Sequence, residues 1–352
     1  MSKSVKLAVV GAGLVGQRHI AAIAHVTGAK LVAVVEPCGG DFGDVRLASD
    51  IEELFLTTRV DGVILSTPTP MHLDGAQACL GRSVPVLIEK PLAASVEQAQ
   101  KIVQASAAAR TPVLVGHHRR HNPMIQKAAS LIQSGAIGDV RAAQATCWFY
   151  KPNDYFEAAL WRTKTGAGPI SVNLVHDVDL MRHLCGEVVS VQAQLAPSRR
   201  GHENEDLAAA VLRFANGALC TISVSDSIVA PWSWELTAAE YPIYPVTDQS
   251  CYHIGGSDGS LSIPDMRLWR HDGDKSWWNA ITATTMPRPA SDPLINQIAH
   301  FADVIRGKET PLVTAEEGLR TMQVVEAIQT AATTQSTVQI DACAGIAPEA
   351  AE

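Results

Sequence analysis

Two groups of residues in this chain have side chains and spacing suited to chemistry, and a third has side chains alone. Gly11-Ala12-Gly13-Leu14-Val15-Gly16 is a glycine triplet set between an apolar run and a helical stretch. The first glycine permits a tight turn, the second lets backbone approach a pyrophosphate, and the third lets helix and strand pack closely. Phosphates would then rest on the free N–H groups where Leu14 and Val15 open the helix. Glu36 ends the next apolar run, 20 residues after Gly16, where an acid can hydrogen-bond ribose hydroxyls. A carboxylate there repels a 2′-phosphate, and no Arg or Lys follows closely, so NAD is expected over NADP. Glu89-Lys90-Pro91 closes a further apolar run. A lysine beyond such a strand can lower its pKa and exchange a proton with a hydroxyl or carbonyl. It can equally be a solvated lysine paired with Glu89. The third group is His117, His118 and His121, close together but with no Cys or carboxylate at ligand spacing, so no metal is expected.

The elements that must position these residues alternate through the first third of the chain. Apolar runs at Val5 to Val10, Leu31 to Val35, Asp61 to Ser66, Val84 to Ile88 and Pro112 to Gly116 read as strands. Helical candidates lie between them at Ile51 to Thr57, His72 to Leu80 and Ser95 to Ala109. Ser95 with Gln98 fits a capping box. Short apolar strands alternating with helices predict a doubly wound parallel sheet covered on both faces. After about Arg120 the texture changes. A helix at Pro123 to Gln133 precedes strands at Val140 to Phe149, Val188 to Gln194, Ala208 to Phe214 and Ala218 to Ser225. Asn216-Gly217 predicts a hairpin between the last two. Helices are expected at Ser171 to Leu184, Pro293 to Arg306 and Ala315 to Thr330, with a frayed Ala-rich tail. The expected division is a dinucleotide-binding domain over 1–121 and an α/β domain with an open, largely antiparallel sheet over 122–352.

The chain has 352 residues, 47% apolar and 18% charged, with a net charge of −8. That composition suits a globular protein and argues against nucleic acid or an anionic membrane as partner. The N-terminal apolar run is too short for a signal-peptide core, and no run approaches a membrane span. Seven scattered cysteines without a CxxC pair suit a reducing, cytoplasmic compartment.

Glu89-Lys90-Pro91 behind a glycine-triplet domain resembles the Gfo/Idh/MocA oxidoreductases, the family of glucose–fructose oxidoreductase and inositol dehydrogenase. Four further stretches are similar to family segments. Ser66-Thr67-Pro68-Thr69-Pro70-Met71-His72 resembles the third-strand loop that runs along the cofactor. The segment from Gly116 to Pro123, containing His118 and Asn122, resembles the domain-crossing segment. Trp161-Arg162 resembles a pair near the nicotinamide, and His176-Asp177-Val178-Asp179-Leu180 the active-site helix. The resemblance runs from Val5 to about Thr330. It implies hydride transfer between a nicotinamide and a sugar, cyclitol or related alcohol, in a homodimer or homotetramer. Lys90 and His176 become the expected catalytic pair. Ser66, Thr67, Pro68, His72, Glu89, Trp161 and Arg162 join the glycines and Glu36 as expected cofactor contacts. His118, Arg162 and Asn173, with Lys90 and His176, are expected to hold substrate.

One position departs from the family pattern. Where the family commonly has an Asp four residues before the histidine, this chain has Val172, with Asn173 beside it. A neutral amide can orient a hydroxyl but cannot act as a base. Carbonyl or imine reduction, dihydrodiol oxidation, and NAD sensing without catalysis remain readings of the same scaffold. A proton-transfer pair argues against a sensor. Trp232, Trp234, Tyr241, Tyr244 and Tyr252 fit either a sugar-stacking surface or ordinary packing.

Overall fold

A computed structural model describes residues 4–341, and the Ala-rich tail lies outside them. The chain forms two compact units. One runs to Asn122 and takes in Ser291–Met322; the other comprises Pro123–Ala290 and the chain from Gln323 onward.

The first unit holds a six-stranded sheet of β1 (Val5–Val10), β2 (Ala29–Val35), β3 (Arg46–Ala48), β4 (Gly62–Leu65), β5 (Val86–Ile88) and β6 (Val113–Val115), in the order β3-β2-β1-β4-β5-β6. Every pairing is parallel. Alternate side chains face opposite ways, and both faces are covered. Ala8, Val10, Val63, Leu65, Val86 and Ile88 pack with Leu54, Ala76, Leu80, Ile102 and Val103 of α2 (Ile51–Thr57), α3 (His72–Leu80) and α4 (Val96–Ala109). Leu7, Val9, Ile64, Leu87 and Leu114 pack on the other side with Ala22 and Ile23 of α1 (Leu14–Ile23). That face is completed by a helix the sequence division assigned to the second domain. Leu294, Ile298, Phe301 and Ala302 of Pro293–Ile305 join the same core. One short helix cannot cover the strands on that side, so the chain returns from far along its length to finish the layer. The short edge strand β3 was not expected from the sequence. Ser95 caps α4 through the Gln98 amide, while the Gln98 side chain accepts from the Ala94 amide instead of closing the box on Ser95.

The second unit holds a nine-stranded sheet. Its strands are β7 (Val140–Trp148), β8 (Val188–Pro197), β9 (Glu205–Phe214), β10 (Leu219–Ser225), β11 (Tyr252–Gly256), β12 (Ser260–Ile263), β13 (Arg267–His271), β14 (Ile281–Thr285) and β15 (Val338–Gln339). Their order is β14-β13-β12-β11-β7-β10-β9-β8-β15. All pairs are antiparallel except β7 with β10. Gly217 takes the positive φ of +85° that the β9–β10 hairpin requires. One face of this sheet is buried against Met124, Ile125 and Ala128 of Pro123–Gln133, and against Leu174, Val178 and Met181 of the 170–185 segment. The other face carries Gln144, Gln192, Gln194, Ala209, Val211 and Thr221, small or uncharged and largely exposed. Instead of the single helix expected from Ser171, a π-helical turn at Ile170–Leu174 leads into the α-helix Val175–Cys185. Gly186, with φ of +110°, stops it.

Candidate active site

In the first unit the glycine turn is fixed by steric limits at two positions and left open at a third. Gly11 has φ of +88°, and a Cβ there would lie 2.8 Å from the Ser66 carbonyl oxygen. A Cβ on Gly16 would lie 2.0 Å from the Gly11 carbonyl oxygen, so no side chain is possible. A Cβ on Gly13 meets nothing within 4 Å. No side chain caps the N-terminus of α1, leaving its first amides to be satisfied by a ligand or solvent. Leu14 at that terminus is 80% exposed, an apolar side chain beside open space. Glu36 accepts hydrogen bonds from the Ala12 amide at 2.9 Å and the Cys38 amide at 3.2 Å, which places its carboxylate against the turn. These residues fit a dinucleotide.

The neighbouring loops divide into residues that face outward and residues that brace. The Ser66 hydroxyl donates to the Gly11 carbonyl at 2.7 Å, holding the turn. Pro68 is exposed, and the Thr67 hydroxyl is buried with no partner among the described residues. His72, expected to contact the cofactor, is buried instead. Its Nε2 lies 3.0 Å from the Thr67 carbonyl and its Nδ1 3.0 Å from the Pro91 carbonyl, so it ties the two loops together. Burial pushes its pKa down against the pull of those carbonyls. Glu89 is likewise a brace. Its Oε1 lies 2.8 Å from Nε2 of the buried His19, and its Oε2 accepts from the Lys90 amide at 3.2 Å. Burial alone would raise the Glu89 carboxyl. The His19 hydrogen bond, with the charges of His19, His118 and Lys90, outweighs it and brings the pKa to about 2. Lys90 and His118 are half-buried, whereas His117, Arg119, Arg120 and His121 are buried. Arg120 pairs with Glu317 at 2.9 Å, and the His121 carbonyl accepts from Asn296 at 3.1 Å. Among the described residues no group of three His, Cys, Asp or Glu side chains is arranged to hold a metal.

The second unit presents the remaining expected residues. His176 and Asn173 are 8% and 9% exposed, and the Asn173 Oδ1 is buried with no partner among the described residues. The Val175 amide bonds the Ile170 carbonyl five residues back, so Asn173 sits in the wide π-turn instead of on a regular helical face. Asp177 is buried and accepts from the Tyr252 hydroxyl. Trp161 is 59% exposed, whereas the Arg162 guanidinium lies 4.1 Å from the Tyr155 ring centre and donates to the Tyr155 carbonyl at 2.6 Å. Of the aromatic candidates, Trp234 and Tyr252 are core residues, stacked with centroids 5.7 Å apart. Trp232 packs edge-on against Trp148, and Tyr244 against Phe149 and Tyr241. The sequence reading missed Lys151, Tyr155, Arg200 and Asp226, gathered where β7 and β10 end. A lysine two residues after a predicted strand was the one signal.

Comparison with known proteins agrees with this architecture. Residues 5–117 match the oxidoreductase family with an NAD-binding Rossmann fold, and residues 125–262 match the GFO/IDH/MocA C-terminal domain. A D-apiose dehydrogenase of Paraburkholderia graminis is 24% identical over 98% of this chain and 92% of its own. An oxidoreductase from Agrobacterium radiobacter, solved with NAD+, L-tartaric acid and magnesium, superposes with a TM-score of 0.81 at 21% identity, covering 96% of this chain and 98% of that one. The WlbA dehydrogenase of Bordetella pertussis, solved with NADH and UDP-GlcNAcA, gives 0.79 at 22% identity, covering 97% and 99%. This chain belongs to the Gfo/Idh/MocA family of NAD(P)-dependent oxidoreductases.

Proposed function

We propose that this protein is an NAD-dependent dehydrogenase that oxidises a secondary hydroxyl of a sugar, cyclitol or related polyhydroxylated ring. The observation that carries the reading is Lys90. It leaves the carboxyl end of β5, two strands from the glycine turn, with its amide bonded to a Glu89 carboxylate that His19 keeps ionised. Open parallel sheets bind ligands beyond the carboxyl ends of their strands. NAD, when bound, supplies the hydride acceptor. Lys90 hydrogen-bonds the reacting oxygen, and His176 takes its proton. Asn173 offers its unpartnered Oδ1 to a substrate hydroxyl, while Arg162 and His118 orient the ring. Glu36 favours NAD over NADP, because its carboxylate repels a 2′-phosphate. The relatives named above, which act on D-apiose or were solved with UDP-GlcNAcA, support a carbohydrate-like substrate.

The same reading makes the protein a cytoplasmic homodimer or homotetramer. Six described cysteines are free, which suits a reducing compartment. The open face of the second unit's sheet, uncharged around Gln144, Gln192, Ala209, Val211 and Thr221, suits burial against a second copy. Light scattering should show Val211→Glu, at the centre of that face, falling to monomer mass. An unchanged mass would remove the sheet-face interface. Reduced-nicotinamide absorbance over a panel of sugars, sugar acids and cyclitols tests the activity. Silence across the panel in both directions, with NAD bound, would sink the dehydrogenase reading.

A further inference from the structure

Lys151 is only 5% exposed, yet its ammonium makes no hydrogen bond among the described residues. Its nearest carboxylate oxygen, Asp226 Oδ2, is 4.0 Å away. Burial pushes the Lys151 pKa down, and the nearby Arg162 guanidinium adds to that, while Asp226 and Glu235 act against it. The ammonium lies 5.0 Å from the centre of the Tyr155 ring, and the Arg162 guanidinium lies 4.1 Å from the same ring. Among the described residues the Tyr155 hydroxyl has no hydrogen-bond partner, and the Arg162 Nε is buried without one.

Three of the surrounding carboxylates have other donors. Asp226 Oδ1 accepts from Arg200 at 3.0 Å, Asp206 accepts from the Arg199 amide at 2.8 Å, and Glu205 accepts from the Ile170 amide at 3.2 Å. Arg200 is fully engaged, since it also donates to the Lys151 and Asp226 carbonyls. What remains is three donors around one aromatic ring, the Lys151 ammonium, the Tyr155 hydroxyl and the Arg162 Nε, that no described group accepts from within hydrogen-bond distance. Buried charges are ordinarily paired and hydrogen-bonded, so these open donors call for an acceptor from outside.

We propose that Lys151, Tyr155 and Arg162 form a subsite for a carboxylate of the substrate, which makes the preferred substrate a sugar acid. The inference rests on the dehydrogenase reading and narrows its substrate class. A carboxylate brings one negative charge and two planar acceptor oxygens, matched to a guanidinium edge and an ammonium. A phosphate brings about 1.5–2 charges, a poorer match where Asp226, Glu205, Asp206 and Glu235 already stand close.

The test uses D-glucuronate, D-glucose and D-glucose 6-phosphate with the NAD-loaded protein, following binding by calorimetry and turnover by absorbance. Glucuronate should bind about tenfold or more tightly than glucose, the scale of a charge-assisted hydrogen bond. Lys151→Met should abolish that preference, Lys151→Arg should retain most of it, and Tyr155→Phe, which keeps the ring, should weaken it. NAD affinity should not change in any of the three. Equal binding of acid and neutral sugar, a preference that survives Lys151→Met, or tighter binding of the phosphate would overturn the proposal. If Lys151→Met does not fold, an undiminished preference in Tyr155→Phe overturns it instead. Tight, Lys151-dependent binding of glucuronate without any turnover would support the subsite and count against the dehydrogenase reading alone.

Discussion

The two units hold their candidate site residues by different means. In the first, position comes from the backbone: a glycine turn, an uncapped helix end and the carboxyl ends of adjacent parallel strands. Gly11 and Gly16 leave no room for a Cβ, which would fall 2.0–2.8 Å from main-chain oxygens, and the Ser66 hydroxyl donates to the Gly11 carbonyl at 2.7 Å. In the second, position comes from side chains far apart in sequence. Lys151 meets Asp226, Arg200 reaches back to the Lys151 carbonyl, and Asp177 meets Tyr252. A cofactor common to many enzymes can be held by main-chain geometry. A particular substrate needs side chains that can differ from one relative to the next.

The contrast breaks most directly at Lys90, the one residue proposed for chemistry in the first unit. Lys90→Ala should lower kcat by roughly 100-fold or more, the usual scale of general acid–base catalysis. NAD affinity, measured by fluorescence titration, should change little, because the glycine turn is untouched. Near-normal turnover would leave Lys90 a solvated lysine and put the chemistry entirely in the second unit.

The second unit gives the next largest effects, and they should separate. His176→Ala should lower kcat and remove an inflection from its pH profile. Asn173→Ala should mainly raise KM, by about 1–3 kcal/mol for one lost hydrogen-bond partner, and retain the inflection. If Asn173→Ala erases the inflection and His176→Ala does not, the two roles are reversed. The π-turn makes this sharper, since Asn173 cannot simply replace a carboxylate one helical turn before the histidine.

Legibility from the sequence followed the same division. Strand β1 and helices α2, α3 and Pro123–Gln133 were found at their observed bounds, because apolar periodicity and capping are local signals. The glycine triplet and Glu36 were readable for the same reason. The braces were not. His72 and Glu89 look like ligand contacts in a motif, and only burial and their partners show that they hold loops. The return of Pro293–Ile305 to the first sheet was equally hidden, since its amphipathic pattern shows that it packs but not on what. The π-turn before His176 has no signature in Ile170–Leu174, and the Lys151 cluster depends on strand ends that only the folded sheet brings together.

Glu89 offers a break of the comparison through stability. Its pKa is held at about 2, against an ordinary value of 4.5. A depressed carboxylate stabilises the fold above its unfolded pKa, and that stability is lost as pH falls from about 4.5 toward 2. Because the group is buried, the contribution at neutral pH is on the order of 2–3 kcal/mol. Urea midpoints should show Glu89→Gln less stable than wild type at pH 7, with the gap narrowing as pH drops below 4.5. A gap independent of pH would mean that Glu89 acts through shape alone, and that its ionised state does not brace the Lys90 loop.

The smallest expected effect tests whether the first unit's main-chain geometry leaves room for side-chain selectivity. Glu36 is an acid set against the glycine turn, held by the Ala12 and Cys38 amides. In wild type, kcat/KM should favour NAD over NADP. Glu36→Ala removes the repulsion of a 2′-phosphate and also a hydrogen-bond acceptor for the ribose. NAD should therefore lose roughly tenfold, within the 0.5–3 kcal/mol range of one hydrogen bond, while NADP gains or holds. The ratio narrows without reversing, because no arginine or lysine replaces the lost acid to bind the phosphate. Equal use of both cofactors by the wild type would show that even this choice lies outside the turn, and the contrast between the units would then extend to the cofactor itself.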